Sequence, residues 1–135
     1  ATSFICKLYS ENRLGWWRKT QLRRFPSLKK LRLSKTSVSD AALESLKACK
    51  LLQELDLSEN SIITDAGLVH LAAITSLKKL NLWRVQITDA GALALAPLVN
   101  LEWLNLDNTK LSDAGLPCLK DMNKLTFSAF SGITM

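Results

Sequence analysis

Leu52-Gln53-Glu54-Leu55-Asp56-Leu57-Ser58-Glu59-Asn60, followed closely by Ile63-Thr64-Asp65-Ala66-Gly67-Leu68, is the stretch whose reading decides the architecture. Leu55 and Leu57 alternate with Glu54 and Asp56, the period of a short strand with one buried face. Thr64 beside Asp65 reads as a helix N-cap followed by an acid placed at the positive end of the helix. Leu68, Leu71 and Ile74 then fall at helical spacing. Strand, turn and helix are complete within 25 residues, and at Leu77 the same pattern starts again.

Working outward, the unit recurs every 24 or 25 residues. Its strand part reads Leu28-x-x-Leu31-x-Leu33-x-x-Thr36, then the Leu52 copy ending at Asn60, then Leu77-x-x-Leu80-x-Leu82-x-x-Val85, then Leu101-x-x-Leu104-x-Leu106-x-x-Thr109. The helix starts are Ser39-Asp40, Thr64-Asp65, Thr88-Asp89 and Ser112-Asp113, with Leu43, Leu46 and Cys49, Ala92, Leu95 and Leu98, and Leu116, Leu119 and Met122 at helical spacing behind them. A fifth copy opens at Leu125, where Ser128 stands in for the second Leu and Phe130 for the third. Units of this size cannot bury their apolar faces alone, so they stack into a solenoid. The expected fold is α/β, with one short parallel strand and one helix per unit in a curved ladder.

The pattern over residues 25–133 resembles the leucine-rich repeat family. The Ser/Thr-Asp-Ala-Gly-Leu form is similar to repeats of bacterial and protist proteins. The stretch from Cys49 to Asp65 resembles the cysteine-containing repeats of F-box proteins, with Asn60 where those often carry Cys. The resemblance implies strands on the concave side, helices on the convex side, and a concave surface that binds protein partners.

At 47% hydrophobic and 22% charged, 135 residues suffice for one domain with a continuous core. No apolar run reaches the roughly 18 residues a membrane helix needs. Cys6, Cys49 and Cys118 are odd in number and far apart, which argues against a disulfide framework and for an intracellular, cytoplasmic setting. Cys6, Cys49, Cys118 and His70 come singly, so no metal site is expected; His70 reads as an exposed helix residue. Gly67, Gly91 and Gly115 share one repeat position and are structural, and Asp40, Asp65, Asp89 and Asp113 are explained as helix-start acids. No nucleophile has a base beside it, and no cofactor motif occurs. An enzyme is not expected.

The charge is uneven. Residues 1–33 carry nine Lys/Arg against Glu11, a net +8, whereas the other 102 residues carry nine against eleven acids, a net −2. Residues 1–24 therefore form a basic, aromatic N-terminal cap or decayed repeat ahead of the repeats at 25–135, four complete and a fifth truncated. Matching Ser10-Glu11-Asn12 to Ser58-Glu59-Asn60 places Phe4, Lys7 and Tyr9 on strand positions. Arg18, Lys19, Arg23 and Arg24 are the candidate contacts for an anionic partner such as nucleic acid. The truncated C-terminal unit leaves an open end onto which another chain or further repeats would dock.

The strand residues flanking the inward leucines form solvent-facing columns. The first is Lys30, Glu54, Lys79, Trp103, Phe127; the second Arg32, Asp56, Asn81, Asn105, Ala129; the third Ser34, Ser58, Trp83, Asp107, Ser131. Opposite charges at the start of the ladder are placed to pair laterally. Towards its end Trp83, Trp103 and Phe127 gather, and large aromatics of this kind anchor protein interfaces. The expected function is a protein–protein interaction scaffold, with Trp83, Trp103 and Phe127 as anchors and Asn81, Asn105 and Asp107 as polar contacts. The alternatives are substrate recognition in an F-box-type ubiquitin ligase, a structural subunit of a large, possibly organellar, assembly, or a nucleic-acid contact through the basic N-terminus.

Overall fold

The computed structural model describes the backbone of residues 3–5 and 27–129 and the side chains of residues 27–126. Among the described residues, six three-residue strands form one parallel sheet in sequence order: β1 (Ser3–Ile5), β2 (Lys30–Arg32), β3 (Glu54–Asp56), β4 (Lys79–Asn81), β5 (Trp103–Asn105) and β6 (Phe127–Ala129). Between them lie α1 (Asp40–Ser45, continued by a 3-10 turn at Leu46–Ala48), α2 (Asp65–Leu71), α3 (Asp89–Leu95) and a 3-10 helix at Asp113–Leu119. Each helical element packs on the next. Parallel strands sit about 4.8 Å apart and packed helices about 8–10 Å apart, so the strands take the tighter radius.

Leu31, Leu55, Leu80 and Leu104 face one another in register, and each is buried. With Leu33, Leu57, Leu82 and Leu106 beside them and Leu43, Leu68, Ala92 and Leu95 from the helices, they make one continuous core. Burying each such leucine stabilises the fold by about 1.5–3 kcal/mol before conformational entropy is subtracted. The backbone ladder outlasts the strands: Leu57 N–H donates to Asn81 O (2.9 Å) and Glu59 N–H to Trp83 O (2.8 Å). Lys35, Glu59, Arg84 and Asn108, at one position of each repeat, then turn the chain with φ of 55–60°, and Ser37 adds a second such residue (58°) in the first.

Three expectations are corrected. The fourth helix is 3-10 rather than α, because Pro117 lies inside it and has no N–H to donate. Spacings of three at Leu116, Leu119 and Met122 suit three residues per turn. The match built on Ser10-Glu11-Asn12 is three residues out: Phe4 itself pairs with Leu31, where that match puts Lys7. Finally, Ser39, Thr64 and Thr88 stand at N-cap positions without a side-chain cap bond. Only Ser112 accepts one, from Ala114 N–H at 3.3 Å.

The helix-start acids have a further partner in the next repeat. Asp40 accepts Thr64 N–H (2.9 Å) and Oγ1–H (2.5 Å), Asp65 accepts Thr88 N–H (2.8 Å) and Oγ1–H (2.6 Å), and Asp89 accepts Ser112 N–H (2.8 Å) and Oγ–H (2.5 Å). A second bolt is buried. Asn60 Oδ1 accepts Thr36 N–H and Val38 N–H, both at 3.1 Å, while Nδ2 donates to Leu33 O (2.9 Å) and Leu57 O (2.8 Å). These bonds join repeats directly rather than through the apolar core.

Candidate functional site

The strand face carries the columns in the expected register: Lys30 opposite Glu54, Glu54 opposite Lys79, Lys79 opposite Trp103, and Asn81 opposite Asn105. Its first half is laced by ion pairs. Glu54 lies 4.0 Å from Lys30 and 3.6 Å from Lys79, Asp56 lies 3.9 Å from Arg32, and Glu59 lies 3.5 Å from both Lys35 and Arg84. These pairs are solvent-exposed and contribute about 0–1 kcal/mol each. They set the three acids of the second repeat between five cations of the first and third.

Beyond Arg84 the pairing gives way to aromatics. The Arg84 guanidinium sits 4.4 Å from the Trp83 ring centroid while its other side holds Glu59, so Glu59, Arg84 and Trp83 form a chain that fixes the indole. Trp83 and Trp103 are half-buried. Between them lie Asn81 and Asn105, and each has one end of its amide committed. Asn81 Oδ1 accepts Trp83 N–H at 3.1 Å, and Asn105 Oδ1 accepts Asp107 N–H at 2.9 Å. Asp56 does the same one repeat earlier, accepting Ser58 N–H at 3.0 Å and Ser58 Oγ–H at 2.7 Å. The second column thus shapes the turn after each strand, a local side-chain-to-backbone bond typical of Asx residues.

The structure brings Asn81, Trp83, Trp103, Asn105 and Asp107 onto two adjacent strands and the turns that follow them. Phe127 stands in register opposite Trp103, although its side chain lies outside the described residues. Arg18, Lys19, Arg23 and Arg24 also lie outside the described residues. His70 is half-buried rather than exposed, with Nδ1 buried and unpartnered. Cys49 is wholly buried, and that burial pushes its thiol pKa up, as for a core residue rather than a reactive one. Among the described residues no His/Cys/Asp/Glu group could hold a metal ion, and no helix is long and apolar enough to cross a membrane.

Sequence reasoning missed the turn-shaping role of Asn81 and Asn105 and the stacking of Arg84. The spacing carried a signal for the first, since Asp56-x-Ser58, Asn81-x-Trp83 and Asn105-x-Asp107 repeat an Asx residue two before the turn.

Comparison with known proteins agrees with this geometry. Leucine-rich-repeat models match residues 48–72, 73–96 and 100–122. No curated protein sequence matches the chain. Among solved structures it is similar to TLR13 in complex with ssRNA13, with 22% identity, a TM-score of 0.68, and coverage of 97% of this chain but 19% of that one. It is also similar to an internalin from Listeria monocytogenes (20% identity, TM-score 0.57, 84% of this chain and 37% of that one). A third is the tropomodulin C-terminal domain of Caenorhabditis elegans (22% identity, TM-score 0.61, 84% and 80%). The chain therefore spans about a fifth and a little over a third of the first two proteins' lengths. Repeats of this kind generally mediate interactions with proteins or other ligands. By sequence pattern, strand register and structural likeness alike, this chain carries leucine-rich repeats and folds as a leucine-rich-repeat solenoid.

Proposed function

We propose that the chain is a non-catalytic interaction module that holds a protein partner on its strand face, at the corner made by Trp83, Trp103, Asn81, Asn105 and Asp107, with Phe127 in the adjoining strand. One observation carries this reading: along the same register columns, lateral ion pairs at Lys30–Glu54–Lys79 give way to tryptophan. A face whose charges are mutually satisfied offers a partner little, whereas half-buried indoles held by rigid backbone offer area at small entropic cost. Asp107 and the two asparagines supply polar contacts around the rings.

Affinity capture from native extract at high salt tests it. A protein retained by the wild-type chain should be lost on Trp103→Ala, with affinity weakened by about 2 kcal/mol or more. Equal retention by a folded Trp103→Ala chain would refute the assignment. A second reading, contact with nucleic acid through Arg18, Lys19, Arg23 and Arg24, is supported by the net +8 of residues 1–33. It requires affinity that falls steeply with salt, as phosphate contacts release counterions.

A further inference from the structure

The helix side of the ladder carries a pattern of its own. Counted from the acid that opens each helix, Glu44, Val69, Leu93 and Pro117 share the fourth position. Lys47, Ala72, Ala96 and Lys120 share the seventh, and Ala48, Ala73, Pro97 and Asp121 the eighth. Glu44, Val69, Leu93 and Pro117 are all exposed. Val69 at 59% and Leu93 at 63% are the two most exposed large hydrophobic side chains among the described residues, and they stand on helices α2 and α3, which pack together.

Charge avoids the same place. Residues 66–77 and 90–101 contain no Lys, Arg, Asp or Glu, and the acids that open these helices, Asp65 and Asp89, are taken by Thr88 and Ser112. On the flanks, α1 carries Glu44 with Lys47 just beyond it, and the 3-10 helix is followed by Lys120 and Asp121. An uncharged patch with protruding apolar side chains and a charged rim is the pattern of a surface that protein covers.

Symmetry identifies the occupant. In α2 a large residue, Val69, is followed one turn later by the short Ala72 and Ala73, and in α3 Leu93 is followed by Ala96 and Pro97. The same two positions in the first repeat hold an acid and a base, Glu44 and Lys47. Neither joins an ion pair among the described residues. A twofold axis running along the ladder, midway between the fourth and seventh positions, lays each helix antiparallel on its own copy. Val69 then meets Ala72 and Ala73 of the second copy, Leu93 meets Ala96 and Pro97, and Glu44 meets Lys47. Every contact occurs twice, as an isologous interface requires. A twofold axis along the helices would instead set Lys47 against Lys120, so charge selects the first arrangement. Because the strands take the tighter radius, two helix faces touch at their middle and part towards the flanks, where the long Glu44 and Lys47 side chains span the gap.

We propose that the chain self-associates through its helix face as an antiparallel twofold dimer, with Val69 and Leu93 at the centre and reciprocal Glu44–Lys47 pairs at one edge. The two strand faces then point away from each other.

Sedimentation equilibrium of the full chain, from micromolar to millimolar concentration at physiological salt, tests this. Helices of about two turns make a small face, at the low end for a specific interface, so the dimer should be weak and grow with concentration. Val69→Lys or Leu93→Lys should weaken association at least tenfold with an unchanged circular dichroism spectrum, because both positions face solvent in the single chain. Glu44→Lys and Lys47→Glu should each weaken it three- to tenfold by setting like charges together. Mixed in equal amounts, these two variants should pair with each other at least as tightly as the wild-type chain pairs with itself. Glu44→Lys and Lys47→Glu combined in one chain should restore the dimer, and since that variant keeps the net charge, its recovery separates local pairing from overall repulsion. A chain that stays monomeric throughout the range overturns the inference, as does a dimer that Leu93→Lys leaves intact. Tighter association of the Lys47→Glu chain would mean pairing with Lys120 and would overturn the antiparallel arrangement.

Discussion

Asp40 and Thr64, 24 residues apart, share two hydrogen bonds: one carboxylate accepts both the backbone N–H and the side-chain hydroxyl of the residue that opens the next helix. The Asp65–Thr88 and Asp89–Ser112 pairs repeat this geometry, so the helix starts are tied in series. Removing the first acid of a pair leaves two donors without a protein acceptor. Asp65→Ala should cost about 1 kcal/mol, because solvent replaces part of what is lost. Asp65→Ala combined with Thr88→Val should cost less than the sum of the two. Urea unfolding of the double-mutant cycle measures the difference.

The glycine two residues after each later acid has its explanation in the same pair. A Cβ at Gly91 would stand 2.5 Å from Asp65 Oδ1 and 3.0 Å from Leu68 Cδ1, and one at Gly115 would stand 2.6 Å from Asp89 Oδ1. Ala42 occupies this position in the first of these repeats. Gly91→Ala should therefore destabilise by about 1–3 kcal/mol through overpacking, despite alanine's better helix propensity. In an Asp65→Ala background the same change should cost much less. Equal penalties in both backgrounds would show that the carboxylate is not the obstacle.

Low pH acts on the Asp89–Ser112 pair. The Ser112 hydroxyl and N–H hold the Asp89 carboxyl below the usual carboxylate range, against a smaller opposing effect of desolvation. A folded-state value depressed below the unfolded one, about 3.9, gives a stabilisation that is fully present above that pH and is lost as pH falls through the folded value. The melting temperature should therefore drop on acidification below about pH 4. Asp89→Asn should start lower at neutral pH and converge with the wild-type chain in acid.

Asn60 is the costlier bolt. It is fully buried, and its truncation would strand the Thr36 and Val38 N–H groups, while the Leu33 carbonyl would keep the Thr36 hydroxyl at 2.6 Å. Asn60→Ala should cost about 3 kcal/mol or more. Val85 holds this position one repeat later and brings no amide to the repeat before it, where Ile63 N–H instead donates to Asn60 O at 3.4 Å. The later repeat thus does without a buried amide, and Val85→Asn should bring no comparable gain. Thermal melts of the two variants give the comparison.

Lys35, with φ of 55°, occupies a left-handed turn that an L side chain enters at a cost of about 1–2 kcal/mol. Lys35→Gly should raise stability by up to about 1 kcal/mol, chiefly at high salt, where the 3.5 Å pair with Glu59 is screened and its loss matters least. A lower urea midpoint at high salt would contradict this.

Strand, turn and helix of each repeat were legible because burial has a period. Leu55 and Leu57, or Leu68 and Leu71, report their faces by spacing alone, and the face columns from Lys30 to Trp103 follow from the same count. The 3-10 form of the fourth helix was half-legible, since Pro117 was visible but its effect competes with good helical spacing. Asn81 and Asn105 were read as rim contacts. Their commitment to turn N–H groups depends on a backbone bend that spacing does not specify.

The sequence by itself determined the solenoid, the order of its strands and the residues on its strand face, because repeating leucines must be buried and only stacked units bury them. The tertiary structure alone decided that Asp40 serves Thr64 rather than its own helix, that Gly67 makes room for that carboxylate, and that Arg84 lies on Trp83. Each of these is a directional contact, two of them between different repeats, set by angles and distances of a few tenths of an ångström. Hydrophobic burial is non-directional and leaves its mark in composition and period; hydrogen bonds and stacking depend on where the repeats come to rest against one another.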